Sequence, residues 1–415
     1  ARNEGTVLEL SVTVGSGAGD ALVVDYGDVI GLAEDAYPPA EQVGADGTAF
    51  TSYNGVIFGM LIGVNRGVIS GFPSVTYDKI TRLTADGSYG DAIVGGMVGA
   101  QLGEGSVIED VGEVVFEAET GVSVTGSGMI NRISVGGLIG MVSNEDNDTS
   151  IDGLAVEMKA YGFIDIDVSH NFASLGGIVG DLRGVMSGAR FETEYLSRIL
   201  INGTLSGGTA ALGGLAGVIN GATVGTSVVK GIGYMYNGVT TDSASASASL
   251  DLYSGGAVGL GANYAVDTST AAATYRRINP SVIDSVYVDF EGYLRALAGT
   301  KVGIMTGRLF DGVTADAVAV NSDAVRNVVW KVNYYGDVPW ASSEYVDNVS
   351  TAFNERDNLA VFGYAPQTVD GYDAARAQMG MRLWVTNNRY SGETNNTISA
   401  TWHYSGNLRI TVDTI

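Results

Sequence analysis

Apolar and polar residues alternate with a period of two along most of the chain. The segments "AVEMKAYGFIDIDVSH" (residues 155–170) and "TSVVKGIGYMY" (226–236) are typical of this pattern. Successive side chains of a β-strand point to opposite faces, so the alternation predicts strands with one buried face. Residues 51–315 show no helical period, and we therefore expect an all-β core.

A glycine-rich block interrupts the alternation at regular intervals. Blocks such as "VGGLIGMV" and "LGGLAGVIN" contain two adjacent glycines, two apolar residues and a third glycine. The reference glycines are Gly55, Gly96, Gly137, Gly177, Gly214 and Gly256, at spacings of 41, 41, 40, 37 and 42 residues. The weaker blocks "NGVIFG" and "KVGIMTG", at Gly55 and Gly303, carry one extra residue between their glycines. This period predicts a repeat protein of six to seven units with irregular terminal repeats.

The paired glycines are predicted to be structural. A residue without Cβ allows φ > 0 at a corner and lets one backbone layer approach the next. We assign this role to Gly96, Gly137, Gly177, Gly214 and Gly256. The apolar residues beside them are expected to point inward, among them Leu138, Ile139, Ile178, Val179 and Leu215. A phosphate-binding loop is disfavoured, because no helix pattern follows to supply N-terminal amides.

The units "VGGLIGMV", "LGGIVGDLRGVMSG" and "NGVIFGMLIGVNRGVISG" resemble the GLUG-type repeats of bacterial and archaeal surface proteins, adhesins and some secreted peptidases. The resemblance covers roughly residues 50–310, and the units here are longer than those typical of the family. It implies a β-solenoid-like stack on an exported protein and provides no catalytic residues to transfer. How many coils each unit forms stays open at this point.

The composition divides the chain into three regions. We predict an N-terminal β segment over residues 1–50, the repeat region over 51–315 and a β-rich C-terminal module over 316–415. All four tryptophans, Trp330, Trp340, Trp384 and Trp402, lie in the last region. The stretch 370–384 there is a helix candidate that Asp370 would cap. Residues 1–60 also resemble, more faintly, the opening of β-barrel proteins that decorate phage capsids.

Net charge narrows the classes of partner. The chain has 46 Asp and Glu against 22 Lys and Arg, a formal charge of −24, and no basic patch, which disfavours nucleic-acid binding. There is no cysteine, which excludes disulfides and thiolate metal sites, and no apolar run is long enough to cross a membrane. The opening "ARNEG" fits a processed secreted protein. We expect an extracellular or cell-surface location, with a virion surface as the alternative.

One alternating strand carries candidate catalytic residues. In "IDIDVSH", Asp165 and Asp167 would point to the same side about 7 Å apart, and His170 follows. That separation is compatible with acid/base hydrolysis of a glycoside. The favoured interpretation is an ordinary solvated strand face, because we noted no Trp or Tyr platform for a sugar near these residues in the sequence. We therefore predict that the protein is not an enzyme.

An acidic loop is the single candidate metal site. The stretch "SNEDNDTSID" contains the oxygen ligands Glu145, Asp146, Asp148 and Asp152, which suit Ca²⁺, although their spacing matches no known calcium loop. A hydrated acidic loop is the alternative. We expect no other cofactor.

Both chain ends alternate as strands. "TVLELSVTV" places Leu8, Leu10 and Val12 on one predicted face, and "LRITVDTI" does the same with Leu408, Ile410 and Val412. Each strand could pair inside its own subunit or complete the sheet of a neighbour. We favour a non-enzymatic structural protein that assembles head-to-tail with itself into a filament, sheath or surface layer. The alternatives are a virion decoration protein and a polysaccharide-binding or polysaccharide-cleaving solenoid.

Overall fold

The structure is a computed structural model. It describes residues 2–8, 10–15, 21–25, 55–103, 106–108, 110, 112–143, 149–231, 233–241, 250–262, 265–267, 274–276, 281–290, 293–296, 301–303, 306–309, 325–326, 329–334, 362–364 and 398–403. These residues form a parallel β-solenoid, as the sequence predicted, and contain no helix. The helix candidate at 370–384 lies outside the described residues.

Four parallel sheets, named A to D, run the length of the solenoid. Sheet A contains β1 (Arg2–Asn3), β6 (Ile62–Asn65), β11 (Val98–Leu102), β15 (Ile139–Ser143), β19 (Val179–Leu182), β24 (Ala216–Asn220), β30 (Val258–Ala262), β37 (Thr306–Leu309) and β40 (Phe362–Tyr364). Sheet B contains β2 (Thr6–Leu8), β7 (Val68–Ser70), β12 (Val107–Ile108), β16 (Ser150–Asp152), β20 (Val185–Ser187), β25 (Thr223–Gly225), β33 (Val282–Asp284) and β38 (Val325–Arg326).

Sheets C and D complete each coil. Sheet C contains β3 (Ser11–Val14), β8 (Ser74–Tyr77), β13 (Glu113–Phe116), β17 (Ala155–Met158), β21 (Arg190–Thr193), β26 (Val228–Gly231), β34 (Tyr287–Phe290), β39 (Val329–Tyr334) and β41 (Ile398–His403), of which β41 is antiparallel to β39. Sheet D contains β4 (Leu22–Asp25), β5 (Val56–Gly59), β9 (Thr81–Thr84), β10 (Ser88–Gly95), β14 (Gly121–Gly136), β18 (Phe163–Gly176), β22 (Arg198–Asn202), β23 (Thr204–Gly213), β27 (Tyr234–Asn237), β28 (Thr240–Thr241), β29 (Leu250–Gly255), β35 (Tyr293–Ala296) and β36 (Lys301–Gly303). A separate antiparallel pair joins β31 (Ala265–Asp267) to β32 (Thr274–Arg276).

The chain visits the sheets in the order A, B, C, D, and one visit to all four is one coil. We number the coils from the N-terminus: β1–β5, β6–β10, β11–β14, β15–β18, β19–β23, β24–β29 and β30–β36 are coils 1 to 7. The predicted N-terminal segment supplies coil 1, because β1 to β4 pair with β6 to β9 of coil 2. Past residue 315, β38 and β39 extend sheets B and C, so the predicted boundary does not interrupt these sheets.

Each repeat forms one coil, which answers the question that the sequence left open. The first glycines of the pairs are in register across neighbouring strands: Gly59, Gly95, Gly136, Gly176, Gly213, Gly255 and Gly303. Our alignment of the two terminal blocks was therefore wrong. Met60, and not Gly55, follows Gly59 at the position of Gly96. Gly303 aligns with Gly255 and not with Gly256. The extra residue between the glycines of each terminal block displaced the sequence alignment.

Close backbone approach explains all three glycines of a block. A Cβ on Gly136 would lie 1.8 Å from the carbonyl oxygen of Ile139 across the corner. A Cβ on Gly137 would lie 2.1 Å from the carbonyl oxygen of Gly177 in the next coil, and one on Gly140 would lie 2.6 Å from that of Gly99. Of the two reasons we gave for the paired glycines, positive φ does not apply: none of Gly96, Gly137, Gly177, Gly214 and Gly256 is among the described residues with positive φ.

The described interior contains two apolar regions. The main core lies inside the coils and includes the five residues predicted to point inward, Leu138, Ile139, Ile178, Val179 and Leu215, all fully buried. A second region, which we call the seam, lies where sheet A packs against the C-terminal parts of the sheet D strands. The seam contains two clusters: Val64, Ile93, Ala100, Leu102 and Met141 in one, and Phe172, Ala211, Val218, Tyr253 and Leu260 in the other.

Candidate functional site

Strand β18 places Asp165 and Asp167 on the outer face of sheet D. They alternate with Ile164, Ile166 and Val168, which are buried in the main core. The two-residue repeat of a strand therefore turns both carboxylates outward, as the sequence predicted. His170 follows the isoleucines and is fully buried. It lies on the opposite side of the strand and does not belong to one site with the two aspartates.

Asp165 is held by an arginine of the next coil. The Arg198 Nε donates to both carboxylate oxygens at 3.1 Å, and its Nη2 donates to Oδ2 at 2.5 Å. The Arg198 guanidinium also lies 5.1 Å from the centre of the Phe163 ring. Burial raises the pKa of Asp165, while the hydrogen bonds and charge of Arg198 lower it and the charge of Asp167 raises it. The carboxylate is thus engaged in a fixed ion pair.

Asp167 makes a parallel but weaker contact. Its Oδ1 accepts a hydrogen bond from Asn202 Nδ2 at 3.2 Å, and the side chain is exposed. Asn202 and Arg198 both lie on β22. Two polar pairs therefore join coil 4 to coil 5 side by side, separated by one strand repeat of about 7 Å.

Exposed tyrosines flank these pairs. Tyr161 lies in the turn before β18, and Tyr195 lies in the equivalent turn before β22. Their ring centres are 6.3 Å apart in an edge-to-face arrangement, and the residues are 49% and 59% exposed. Our argument that no aromatic platform lies near the aspartates was therefore wrong. Tyr161 is only four residues before Asp165, and the pairing of coils adds Tyr195.

We call Tyr161, Phe163, Asp167, Tyr195, Arg198 and Asn202 the sheet D strip. Phe163 is in register with Arg198, and Asp167 with Asn202, so the strip follows the strand direction over two coils. Its polar groups are a carboxylate, an amide and a guanidinium, and its apolar groups are three aromatic rings. Nothing in the sequence period alone brings coil 4 next to coil 5 in this register, because Asp165 and Arg198 are 33 residues apart.

The predicted calcium loop is described only in part. Glu145, Asp146 and Asp148 lie outside the described residues. Asp152 is exposed, and its Oδ1 accepts hydrogen bonds from the Gly153 amide at 2.9 Å and the Ser187 hydroxyl at 2.8 Å. Among the described residues, no three His, Cys, Asp or Glu side chains are grouped so as to hold a metal ion. The calcium assignment stays a prediction.

The predicted N-terminal assembly strand is two strands. Leu8 ends β2 in sheet B, and β3 begins at Ser11 in sheet C, so the chain turns a corner near Leu10. Val12 packs against the main core, whereas Leu10 is 39% exposed. The prediction that these residues share one face was wrong, because the corner between sheets changes the alternation. Leu408, Ile410 and Val412 lie outside the described residues.

An amide ladder reaches the first coil. Asn3 Nδ2 donates to Asn65 Oδ1 at 2.7 Å, and Asn65 Nδ2 donates to Gln101 Oε1 at 2.7 Å. Both asparagines also accept a hydrogen bond from the amide of a glycine two residues later, Gly5 and Gly67. The motif Asn-x-Gly thus forms the same corner in coils 1 and 2.

These observations define the class of protein as a parallel β-solenoid with one coil per repeat of about 40 residues. Comparison with protein-family models, curated proteins and solved structures finds no match for the chain. In the part of the chain that is described, no helix is both long and apolar enough to cross a membrane.

Proposed function

We propose that this chain is a non-enzymatic structural protein that assembles with itself on an extracellular surface, as a filament, sheath or surface layer. The observation that carries the proposal is the edge of coil 1. Within the described residues, β1, β2, β3 and β4 are each hydrogen-bonded to one neighbouring strand, in coil 2. The unpaired edge of a strand is a template for another chain.

The amide ladder supports this proposal. Stacked Asn and Gln side chains add hydrogen bonds between layers in register, and they favour the growth of parallel stacks. Asn3 is the ladder residue nearest the edge and is only partly buried. A second copy that adds a coil there would extend four sheets at once.

The charge of the chain sets the expected conditions. Subunits of formal charge −24 repel one another, so assembly should be weaker at low ionic strength and stronger when salt or divalent cations screen the surface. The resemblance to GLUG-type repeats supports an exported, surface-bound protein. A virion decoration protein is the alternative, supported by the fainter resemblance of residues 1–60.

Truncation tests the proposal directly. Residues 1–14 and, separately, 408–415 are deleted, and particle size is followed by light scattering across a salt series. We expect the first deletion to abolish growth while circular dichroism still reports β structure. If both truncated proteins remain folded and assemble like the parent, edge pairing of the termini does not join the subunits.

A further inference from the structure

The sheet D strip combines the two kinds of group that bind carbohydrates. The rings of Tyr161 and Tyr195 are exposed, and aromatic faces pack against the C–H faces of sugar rings because both are apolar and flat. Asp167, Asn202 and Arg198 supply a carboxylate, an amide and a guanidinium, which can hydrogen-bond pairs of sugar hydroxyls. A few fixed polar groups beside apolar ones is the usual composition of a ligand site.

The polar groups of the strip are already held in place. Arg198 is fixed by Asp165 on one side and by the Phe163 ring on the other, and its side chain remains about half exposed. In the described part of the chain, its Nη1 makes no hydrogen bond within 3.5 Å and can donate to a ligand. Such preorganisation lowers the entropy cost of binding.

The geometry points to an elongated ligand. From Tyr161 to Asp167 the strip follows the strand direction, a length of about 20 Å for six residues. The tyrosine pair lies at one end, the Arg198–Phe163 stack lies in the middle, and the Asp167–Asn202 pair lies at the other end. A polysaccharide chain could contact all three places, whereas a single sugar would contact one.

Charge selects the kind of polysaccharide. Arg198 neutralises Asp165, so the strip keeps the charge of Asp167, on a chain of formal charge −24. An acidic polysaccharide would be repelled. A protein partner is disfavoured because the centre of the strip is an ion pair, whereas the core of a protein interface is depleted of charge.

We propose that the sheet D strip binds a neutral polysaccharide chain without cleaving it. Asp165, one of the two outward carboxylates of β18, is engaged with Arg198, so the acid/base pair that hydrolysis requires is incomplete. This inference does not depend on self-assembly. The strip lies on coils 4 and 5, away from the edge of coil 1, so the two proposals can fail separately.

Affinity electrophoresis of the full chain tests the proposal. The native gels contain dextran, galactomannan, xylan or a mixed-linkage β-glucan, and alginate serves as the acidic probe. We expect at least one neutral polysaccharide to retard the parent protein and alginate not to do so. Retardation by none of the four neutral polymers, or by alginate alone, would overturn the proposal.

Two variants and a matched control locate the site. The double variant Tyr161→Asn and Tyr195→Ser removes both exposed rings, and Asn tolerates the positive φ of 62° at position 161. We expect roughly tenfold weaker binding from it, and a smaller loss from Asp167→Ala. Phe72→Asn is the control, because Phe72 is an exposed aromatic residue with φ of 59° on another corner. The site assignment is wrong if the control and the double variant lose affinity equally, or if the double variant binds like the parent.

Discussion

The main core and the seam are both buried, but they differ in chemistry. The described main core is a continuous apolar cluster over coils 1 to 7. The seam is divided into two apolar clusters by a charged layer of Asp91, Arg132 and Asp181. Arg132 pairs with Asp181 and lies 4.5 Å from the centre of the Phe172 ring. Burying charges costs several kcal/mol of desolvation per ion, so the seam is the less favourable way to fill an interior.

The charged layer addresses a problem that the main core cannot solve. Near-identical repeats can pair one coil out of register at little cost, because Val, Ile and Leu at equivalent positions are interchangeable. Arg132 is in register with Asp91 and Phe172, and Asp181 with Met141 and Val218. A slip of one coil would bury Arg132 against apolar residues without Asp181. We therefore interpret the pair as a device that specifies register, the best-attested use of buried polar groups.

Breaking the ion pair should have the largest effect. Asp181→Leu leaves the Arg132 charge buried without its partner, and we expect the free energy of unfolding in urea to fall by about 3–5 kcal/mol. Adding Arg132→Met should restore most of it, since apolar replacement of a buried pair is often neutral. If the double variant keeps parental stability but also refolds as cleanly, without aggregation, the register interpretation is wrong.

Acid titration should separate the two regions by sign. Burial lowers the pKa of His170, in the main core, to about 4, and raises the pKa of Asp91, in the seam, to about 6 against the opposing charge of Arg132. The histidine stabilises the fold above its unfolded pKa, and that contribution is lost as the pH falls from 6.5 to 4. The aspartate does the reverse, since its folded form binds the proton more tightly between pH 6 and 4.

Single variants should therefore reveal opposite slopes. His170→Leu should gain stability relative to the parent on acidification from pH 7 to 4, and Asp91→Asn should lose it, by about 3 kcal/mol each. Urea denaturation at several pH values measures both. Equal slopes in the two variants would contradict the assignment of these groups.

Glycine substitutions compare the corner of the main core with the seam. Gly137→Val adds a Cβ close to the Gly177 carbonyl, and Gly140→Val adds one close to the Gly99 carbonyl and Val94 amide. We expect each to lower stability by about 1–3 kcal/mol through overpacking, measured by thermal melting. Gly5→Ala, whose Cβ would meet only Asn3 Oδ1 at 4.0 Å, is the control. An unchanged melting temperature with lost ligand binding would indicate a functional glycine loop instead.

Removing the end of the amide ladder should have the smallest effect on stability. Asn3→Leu loses the hydrogen bond to Asn65 at the partly buried edge, a cost of about 1 kcal/mol. The same variant should slow assembly in light scattering far more than it lowers the melting temperature. Assembly at the parental rate would show that the ladder does not recruit the next copy.

The sequence alone was sufficient for the fold class and for the period. Alternation of period two, as in residues 155–170, specifies strands with one buried face, and glycine blocks about 40 residues apart mark where the chain turns. The five inward residues at the blocks were also predictable, because alternation decides which side chains face the core. These features are local, so a single repeat contains the information.

Only the tertiary structure decided which residues meet across coils. The alignment of Gly59 with Gly95, the pairing of Arg132 with Asp181 and the contact of Tyr161 with Tyr195 depend on a register between segments more than 30 residues apart. Nor does alternation continue around a corner, so Leu8, Leu10 and Val12 could not be assigned to one face by counting. Period two describes one strand, whereas a surface of a solenoid is built from one short piece of each coil, and the stacking of coils determines which pieces are neighbours.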